Sequence, residues 1–511
     1  PGPTSVHPGL LPALGLGPRE VLAGRDYLVL CETAEEVRGL TPDISALARL
    51  DRPGDERDVV IVGAGVVGAA IARELSHFRL RVTLLEAHVD VGAGTSKANT
   101  ALLHTGFDAK PDTLEARLVR RGHELLTAYA ARVGIPVERT GALLVAWDEE
   151  QLAALPGIAA RAWHNGHEDL CELHAEELYR REPHLGPGAL GALEVPGEGI
   201  VCPFTPVIAF ATEAVLAGCE LRLDTPVVGI ERLYRGGCAV HVPGPPVRTR
   251  FLVNAAGLRS DEVDRMAGHD GFTVTPRRGE LIVFDKLARP LVRHAILAVP
   301  TATTKGVLIA PTVFGNVMLG PTAENLADKT DTASTAAGLE RLRAEGRRIL
   351  PALLDHEVTA VYAGLRAATE HDDYQIAVDA GAGYVRVGGI RSTGLSAAMA
   401  IAEHVRDELA AAGLALEPRP DGELPELRMP NIGERGPRPF AEPERIAADP
   451  EYGRIVCFCE RVTRGEVRDA LASPIPPADL DGLRRRTRVL MGRCQGFHCG
   501  AEVAALLEGG A

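Results

Sequence analysis

The stretch DVVIVGAGVVGAAIARELSHFRLRVTLLEA, residues 58–87, leaves the chain little choice of fold. Asp58 to Val62 is an apolar β run, and Gly63-Ala-Gly65-Val-Val-Gly68 follows at once. Ala69 to Phe78 then has a helical period, and Arg81 to Leu85 is a second β run ending at Glu86. Strand, GxGxxG, helix and strand in that order form a dinucleotide fingerprint. Gly63 makes the tight turn, Gly65 lets backbone approach a pyrophosphate, and Gly68 lets helix and strand pack closely. The helix N-terminus offers N–H groups and its dipole to the phosphates. Glu86 is placed to accept hydrogen bonds from ribose hydroxyls. Spacing alone is weak evidence: GPGALG, Gly186 to Gly191, also matches, but it contains a proline, follows no strand and opens no helix. It reads as a loop.

No second complete fingerprint is present, as a reductase binding two nucleotides would need. The Gly/Ser/Thr-rich HVDVGAGTSKANTALLHTGFD after Glu86 can wrap a pyrophosphate and lead towards an isoalloxazine, so FAD is favoured.

At 511 residues the chain exceeds one core and implies two to four domains. Hydrophobic residues at 46% against 24% charged give a globular composition. A net charge of −14 argues against nucleic acid as the main partner. No apolar run reaches the ~20 residues that span a bilayer. The opening PGPTSVHPGLLPALGLG lacks the basic start and continuous apolar core of a signal peptide, and no initiator Met precedes it. Five of the nine cysteines, Cys31, Cys171, Cys202, Cys219 and Cys238, are scattered in hydrophobic stretches and read as reduced thiols. The expectation is a soluble cytoplasmic protein, with any membrane association made through a partner.

Several further motifs, in order, resemble the FAD-dependent glycerol-3-phosphate dehydrogenase and D-amino-acid oxidase superfamily over residues 58–410. GTSKANTALLHTG is similar to the segment that runs along the pyrophosphate to the flavin, carrying Thr95, Ser96 and Asn99. TPVVGIER places Val227 at the adenine side, and FLVNAAGLRSDEV returns Ala256 and Gly257 to the cofactor. VRVGGIRSTGLSAAMAIAEHV resembles the last strand and helix, with Gly389, Ile390, Thr393, Gly394 and Leu395 at the flavin's pyrimidine end. A helix N-terminus there would stabilise the negative charge of a reduced flavin.

The resemblance implies removal of a hydride from a carbon bearing OH or NH₂, a base for the other proton, and a cation for the substrate's anionic group. His104 in LLHTG matches the family's histidine and suits base chemistry near neutrality. Arg366 in YAGLRAATEHDDYQ matches the arginine that clamps phosphate or carboxylate, although Ala367 stands where the family has proline. Arg391 in GGIRST is a second candidate, and Arg277 and Arg278 in PRRGELIVFD open a β run of the substrate domain.

The last tenth of the chain holds Cys457-x-Cys459, then Cys494-Gln-Gly-Phe-His-Cys499. Structural zinc prefers gaps of two to four residues, whereas a [2Fe–2S] cluster takes four thiolates and nearby amides on its sulfurs. Gly492, Gly496 and Gly500 would let backbone come close. The spacing resembles the ferredoxin-like domain named for bacterioferritin-associated ferredoxin, as fused to the large subunit of the anaerobic glycerol-3-phosphate dehydrogenase. That resemblance implies Cys457, Cys459, Cys494 and Cys499 as cluster ligands. Residues 451–511 carry nine Arg against eight Asp and Glu, a relatively basic cradle for an anionic cluster. RRRTR, Arg484 to Arg488, reads as a solvated helix end.

The expected architecture is α/β: a Rossmann-like FAD domain of glutathione-reductase type, an α+β substrate domain and a small C-terminal iron–sulfur domain. Residues 1–57 are an extension without derived function. Residues 58–412 form the oxidoreductase, with FAD parts at 58–106, 201–265 and 361–412 and substrate parts at 107–200 and 266–360. Residues 413–452 are a Pro-rich linker, and 453–511 the cluster unit. The expected activity is oxidation of a small anionic substrate, glycerol 3-phosphate first, with electrons leaving singly through the cluster to a partner subunit or quinone. The alternatives are oxidation of 2-hydroxyglutarate, oxidation of a D-amino or imino acid such as proline, and a non-catalytic role as an electron-transfer subunit. Oligomeric state stays open.

Overall fold

Arg57–Val62 forms a strand at the middle of an eight-stranded sheet, with Val59, Val60 and Ile61 fully buried. Such a continuous apolar run is what a strand covered on both faces requires. The computed structural model describes residues 2–3, 10–17, 20–23, 27–43, 56–233, 236–300 and 306–509. Val82–Leu85 pairs with this strand in parallel on one side, and Val247–Asn254 on the other. Glu220–Arg222 extends the first edge, while Tyr384–Gly388 joins Val247–Asn254 in parallel. Helix Val66–Ser76 packs on Gly394–Ala411 and Thr205–Leu216. Its alanines, Ala69, Ala70 and Ala72, are buried and permit close approach.

The substrate domain is built on a nine-stranded sheet. Its spine is the antiparallel pair Thr275–Phe284 and Val358–Ala368, with Gly279 opposite Gly364 and Arg277 opposite Arg366. The sequence places residues from 361 onward in the FAD domain. Val358–Ala368 instead belongs to the substrate sheet, and the chain re-enters the FAD sheet at Gln375–Asp379. The difference is one of partner, since a β run does not say which distant strand it joins. A smaller sheet pairs Leu102–Leu103 and Val137–Glu138 with Gly199–Val201. Gly186 to Leu190 is a loop, as its proline suggests.

In the extension, Gly2–Pro3, Val21–Ala23 and Tyr27–Val29 form a small antiparallel sheet. A helix capped by Thr33 follows at Ala34–Arg38, and residues 44–55 lie outside the described part.

The Pro-rich segment after Leu414 is laid along the main body. Arg79 N donates to Glu417 O, Met429 N to Val133 O and Glu434 N to Val313 O. The C-terminal unit has its own core of Val456, Val462, Val467, Leu483 and Val503. Helix Arg464–Leu471 is set by a capping box between Thr463 and Glu466. RRRTR is not solvated: Arg485, Arg486 and Arg488 are buried. Arg485 and Arg486 converge on buried Asp90, with Arg486 Nη1 at 2.7 Å and Nη2 at 2.8 Å. Arg488 lies 3.9 Å over the Phe314 ring and 3.0 Å from Glu460. The arginines fasten the cysteine unit to the segment that follows the second Rossmann strand.

Candidate active site and cysteine cluster

A cavity of 240 Å³ runs from the turn at Gly65 past Ser96 and Gly389 to His104 and Arg366. At its phosphate end, Gly63 has φ +100°, and a Cβ there would sit 2.6 Å from Ala255 O. A Cβ on Gly68 would fall 1.9 Å from Gly63 O, so turn and helix close only on glycine. Ser96 Oγ accepts from Val66 N at 2.9 Å, capping the helix from the wrapping segment. Glu86 is buried, accepts from Ala64 N at 2.6 Å and binds His88 Nδ1 at 2.7 Å. It clamps the first turn, and a carboxylate's remaining lone pairs suit ribose hydroxyls. Asn99 locks its own loop, donating to Ser96 O and accepting from Ala101 N. Thr95 donates to Leu365 O, and Thr393 donates to Glu115 at the head of the last helix.

Thr95, Ser96, Asn99, Gly257, Gly389, Ile390, Gly394 and Leu395 all meet in this cavity. Ala256, between the lining residues Ala255 and Gly257, and Val227, which does not line the cavity, pack against the core behind the sheet. A glycine cradle, a capped helix N-terminus and a cavity reaching the last helix fit FAD.

His104 lines the other end of the cavity. The register Leu103↔Gly199 brings residue 104 beside residue 198, and His104 Nδ1 lies 3.1 Å from Glu198 Oε2. Glu198 has no exposed surface, and its other oxygen accepts from Thr105 N at 2.7 Å and Thr105 Oγ1 at 2.9 Å. A carboxylate on Nδ1 selects the tautomer with the proton on that nitrogen, leaving Nε2 as the acceptor. His104 N also donates to Ser396 Oγ at 2.8 Å, which ties the histidine to the last helix. Sequence reading missed Glu198, whose only local signal is an acidic residue between glycines ahead of a β run.

Arg366 faces the same cavity from strand Val358–Ala368. It donates to Thr322 O at 2.8 Å and forms no ion pair with a described carboxylate. Burial, with Arg277 alongside, pulls its guanidinium down to about 10, still protonated at neutral pH. A half-buried cation without a carboxylate partner among the described residues is a strong anion site. Arg391 also lines the cavity, donating to Asp372 O and standing 3.9 Å from Glu115. Arg278 lies elsewhere: it is buried outside the cavity lining and held by Glu324 at 2.6 Å and Asp331 at 3.2 Å. Alternation along Thr275–Phe284 turns it away from Arg366, and its charge is neutralised.

The nine cysteines are all unpaired by disulfide, and burial pushes the Cys219 and Cys238 thiols up to about 12. Cys457, Cys459, Cys494 and Cys499 gather as two pairs, Cys459 beside Cys494 and Cys457 beside Cys499. Backbone amides of His498, Gly496 and Phe497 hold the Cys494 thiol below its ordinary range, and burial pushes Cys499 up to about 12. No three metal-ligating side chains among the described residues converge on a single ion. Two thiol pairs with amides aimed at sulfur fit a two-iron cluster better than one tetrahedral ion.

Comparison with known proteins agrees. The family model FAD dependent oxidoreductase matches residues 58–408, and BFD-like [2Fe-2S] binding domain matches 455–509. A glycerol 3-phosphate dehydrogenase of Caloramator mitchellensis is 36% identical over 88% of this chain and 93% of its own length. One subunit of the anaerobic glycerol-3-phosphate dehydrogenase of Escherichia coli is 27% identical over 89% of each chain. Among solved structures, the FAD-bound L-alpha-glycerophosphate oxidase of Mycoplasma pneumoniae superposes with a TM-score of 0.70 at 30% identity, covering 74% of this chain and 100% of that one. No helix among the described residues is long and apolar enough to cross a membrane.

Proposed function

Because the chain belongs to the FAD-dependent oxidoreductase family and carries a [2Fe–2S] domain, we propose that it is a dehydrogenase of glycerol 3-phosphate, forming dihydroxyacetone phosphate. The observation that carries this reading is Arg366, a half-buried cation without a carboxylate partner among the described residues, sharing one cavity with His104. The glycerol 3-phosphate relatives support the substrate class.

Bound FAD supplies the two-electron oxidant, and the [2Fe–2S] cluster supplies a one-electron outlet. The chain's own residues do the rest. Arg366 takes the phosphate in a two-point grip, with Arg391 as a second cation on the same wall. That grip sets the reacting hydroxyl against His104, whose Nε2 accepts the hydroxyl proton. Glu198 keeps the ring in that tautomer and stabilises the imidazolium that results, as an orienting carboxylate does. The cavity walls exclude bulk water from the reacting carbon.

The test is anaerobic absorbance of the flavin band while candidate substrates are added singly: glycerol 3-phosphate, both 2-hydroxyglutarate enantiomers, proline-type acids and D-amino acids. Bleaching by glycerol 3-phosphate alone is expected. Bleaching by a dicarboxylate or amino acid instead would reassign the substrate. No bleaching by any of them would favour a role in electron transfer alone.

A further inference from the structure

The cysteine unit displays on its surface what soluble proteins normally hide. Phe497, Phe458 and Leu287 are 86%, 74% and 68% exposed, the three most exposed large hydrophobic side chains among the described residues. Scattered exposed apolar residues need no explanation, but a cluster of them does. Phe458 lies between Cys457 and Cys459, and Phe497 between Cys494 and Cys499. Leu287 comes from the other domain, yet its neighbours hold it to the same place. Lys286 Nζ ion-pairs with Glu460, next to Cys459, at 3.1 Å, and Asp285 binds Arg493, next to Cys494, at 2.7 Å. The same Arg493 reaches Glu357, beside the exposed Val358, at 3.5 Å. Leu287 and Val358 therefore each stand next to a residue that ion-pairs across the border to a neighbour of Cys459 or Cys494, and with Phe458 and Phe497 they make up the apolar face at issue.

The cysteines themselves are asymmetric. Cys457 and Cys499 are buried, while Cys459 and Cys494 are partly exposed, so the side of the cysteine group that carries Cys459 and Cys494 is the one open to solvent. Phe497 is braced edge-to-face on His498, with ring centroids 5.2 Å apart.

We propose that this face is the docking surface for the electron acceptor, a one-electron redox protein presenting an apolar, nearly uncharged patch around its own cofactor edge. Aromatic and Arg residues are those that carry binding energy in protein interfaces. A small, transient interface is the usual form for electron transfer. The charges bordering the patch are already satisfied within the chain: Arg493 by Asp285, Lys286 and Arg461 by Glu434. Recognition is therefore by apolar contact rather than by opposite charge, and the encounter is insensitive to salt. The proposal rests on electrons leaving through the cluster, but not on which substrate supplies them.

The experiment uses holoprotein reduced with dithionite and desalted anaerobically, so substrate identity plays no part. Its reoxidation is followed with ferricyanide and with an extract, soluble plus membrane, of the source cells lacking this chain. Phe458→Ser/Phe497→Ser is expected to slow reoxidation by the extract about tenfold or more, the loss of aromatic anchors, with the ferricyanide rate unchanged. Leu287→Ser, outside the cysteine unit and harmless to the cluster, is expected to slow only the extract reaction, about threefold. The wild-type extract rate should hold nearly constant between about 50 and 300 mM salt. Extract rates equal to wild type in both variants would overturn the proposal. A steep fall with salt would also overturn it. So would sedimentation showing a dimer that wild type forms and the double variant does not, because the face would then seat a second copy.

Discussion

A histidine acts as a base only if the nitrogen facing the substrate carries no proton, and Glu198, 3.1 Å from Nδ1 of His104, favours the tautomer that the proposed role needs. His104→Ala should slow flavin reduction by about 10²- to 10⁴-fold while FAD stays bound, read by stopped-flow absorbance. Glu198→Gln should slow the same step by a smaller factor and leave substrate affinity little changed, because it disturbs the ring's tautomer and not the anion grip. Arg366→Ala should weaken substrate binding by about 2–5 kcal/mol, and Lys should not restore it, because an ammonium lacks the planar fork. An affinity unchanged in Arg366→Ala would remove it as the clamp. That His104 and Arg366 share a cavity was legible because each sits in a local motif. Glu198 was not, since it reaches His104 only through the pairing of Gly199 with Leu103. Arg278 was misleading for the same reason: Glu324 and Asp331 arrive from elsewhere to neutralise it.

At the scale of elements, the strand–turn–helix–strand at 57–85 was plain in the sequence, since local periodicity and glycine placement fix it. The partner of Val358–Ala368 was not, and neither was the fate of RRRTR. Charge on a helix end normally means solvent, but here two arginines are buried against Asp90. Asp90 lies in the segment between Glu86 and Ser96, so the cluster unit braces the loop that caps the FAD helix. Asp90→Asn leaves the buried Arg486 guanidinium with a neutral partner and Arg485 with Asp481 alone, and should cost about 3–5 kcal/mol, read by thermal denaturation of holoprotein. It should also release FAD more readily than wild type, read by recovery of free-flavin fluorescence. Lys97→Ala, which removes an exposed pair with Asp481, should cost no more than about 1 kcal/mol. Equal losses in the two variants would mean that burial at Asp90 is not what secures the loop.

Across the whole molecule, one cavity gathers the glycine turn, His104 and Arg366, the proposed base and anion clamp, and a separate small core holds four cysteines against that body. The spacing of the cysteines announced the second unit. What spacing could not announce is how that unit docks: among other contacts through Asp90, the adjacent Asp285 and Lys286, and Phe314, three places far apart along the sequence. Cys494→Ser should abolish the cluster's absorbance and electron delivery to an acceptor, while bleaching of the flavin by substrate proceeds. If bleaching is lost as well, the tail serves to hold the FAD domain together. The most direct measurement is rapid-freeze electron paramagnetic resonance on anaerobic, iron-replete protein mixed with glycerol 3-phosphate. The account predicts loss of the flavin band followed by the paramagnetic signal of a reduced [2Fe–2S] cluster, absent in Cys494→Ser. A bleached flavin beside a cluster that remains silent would contradict it.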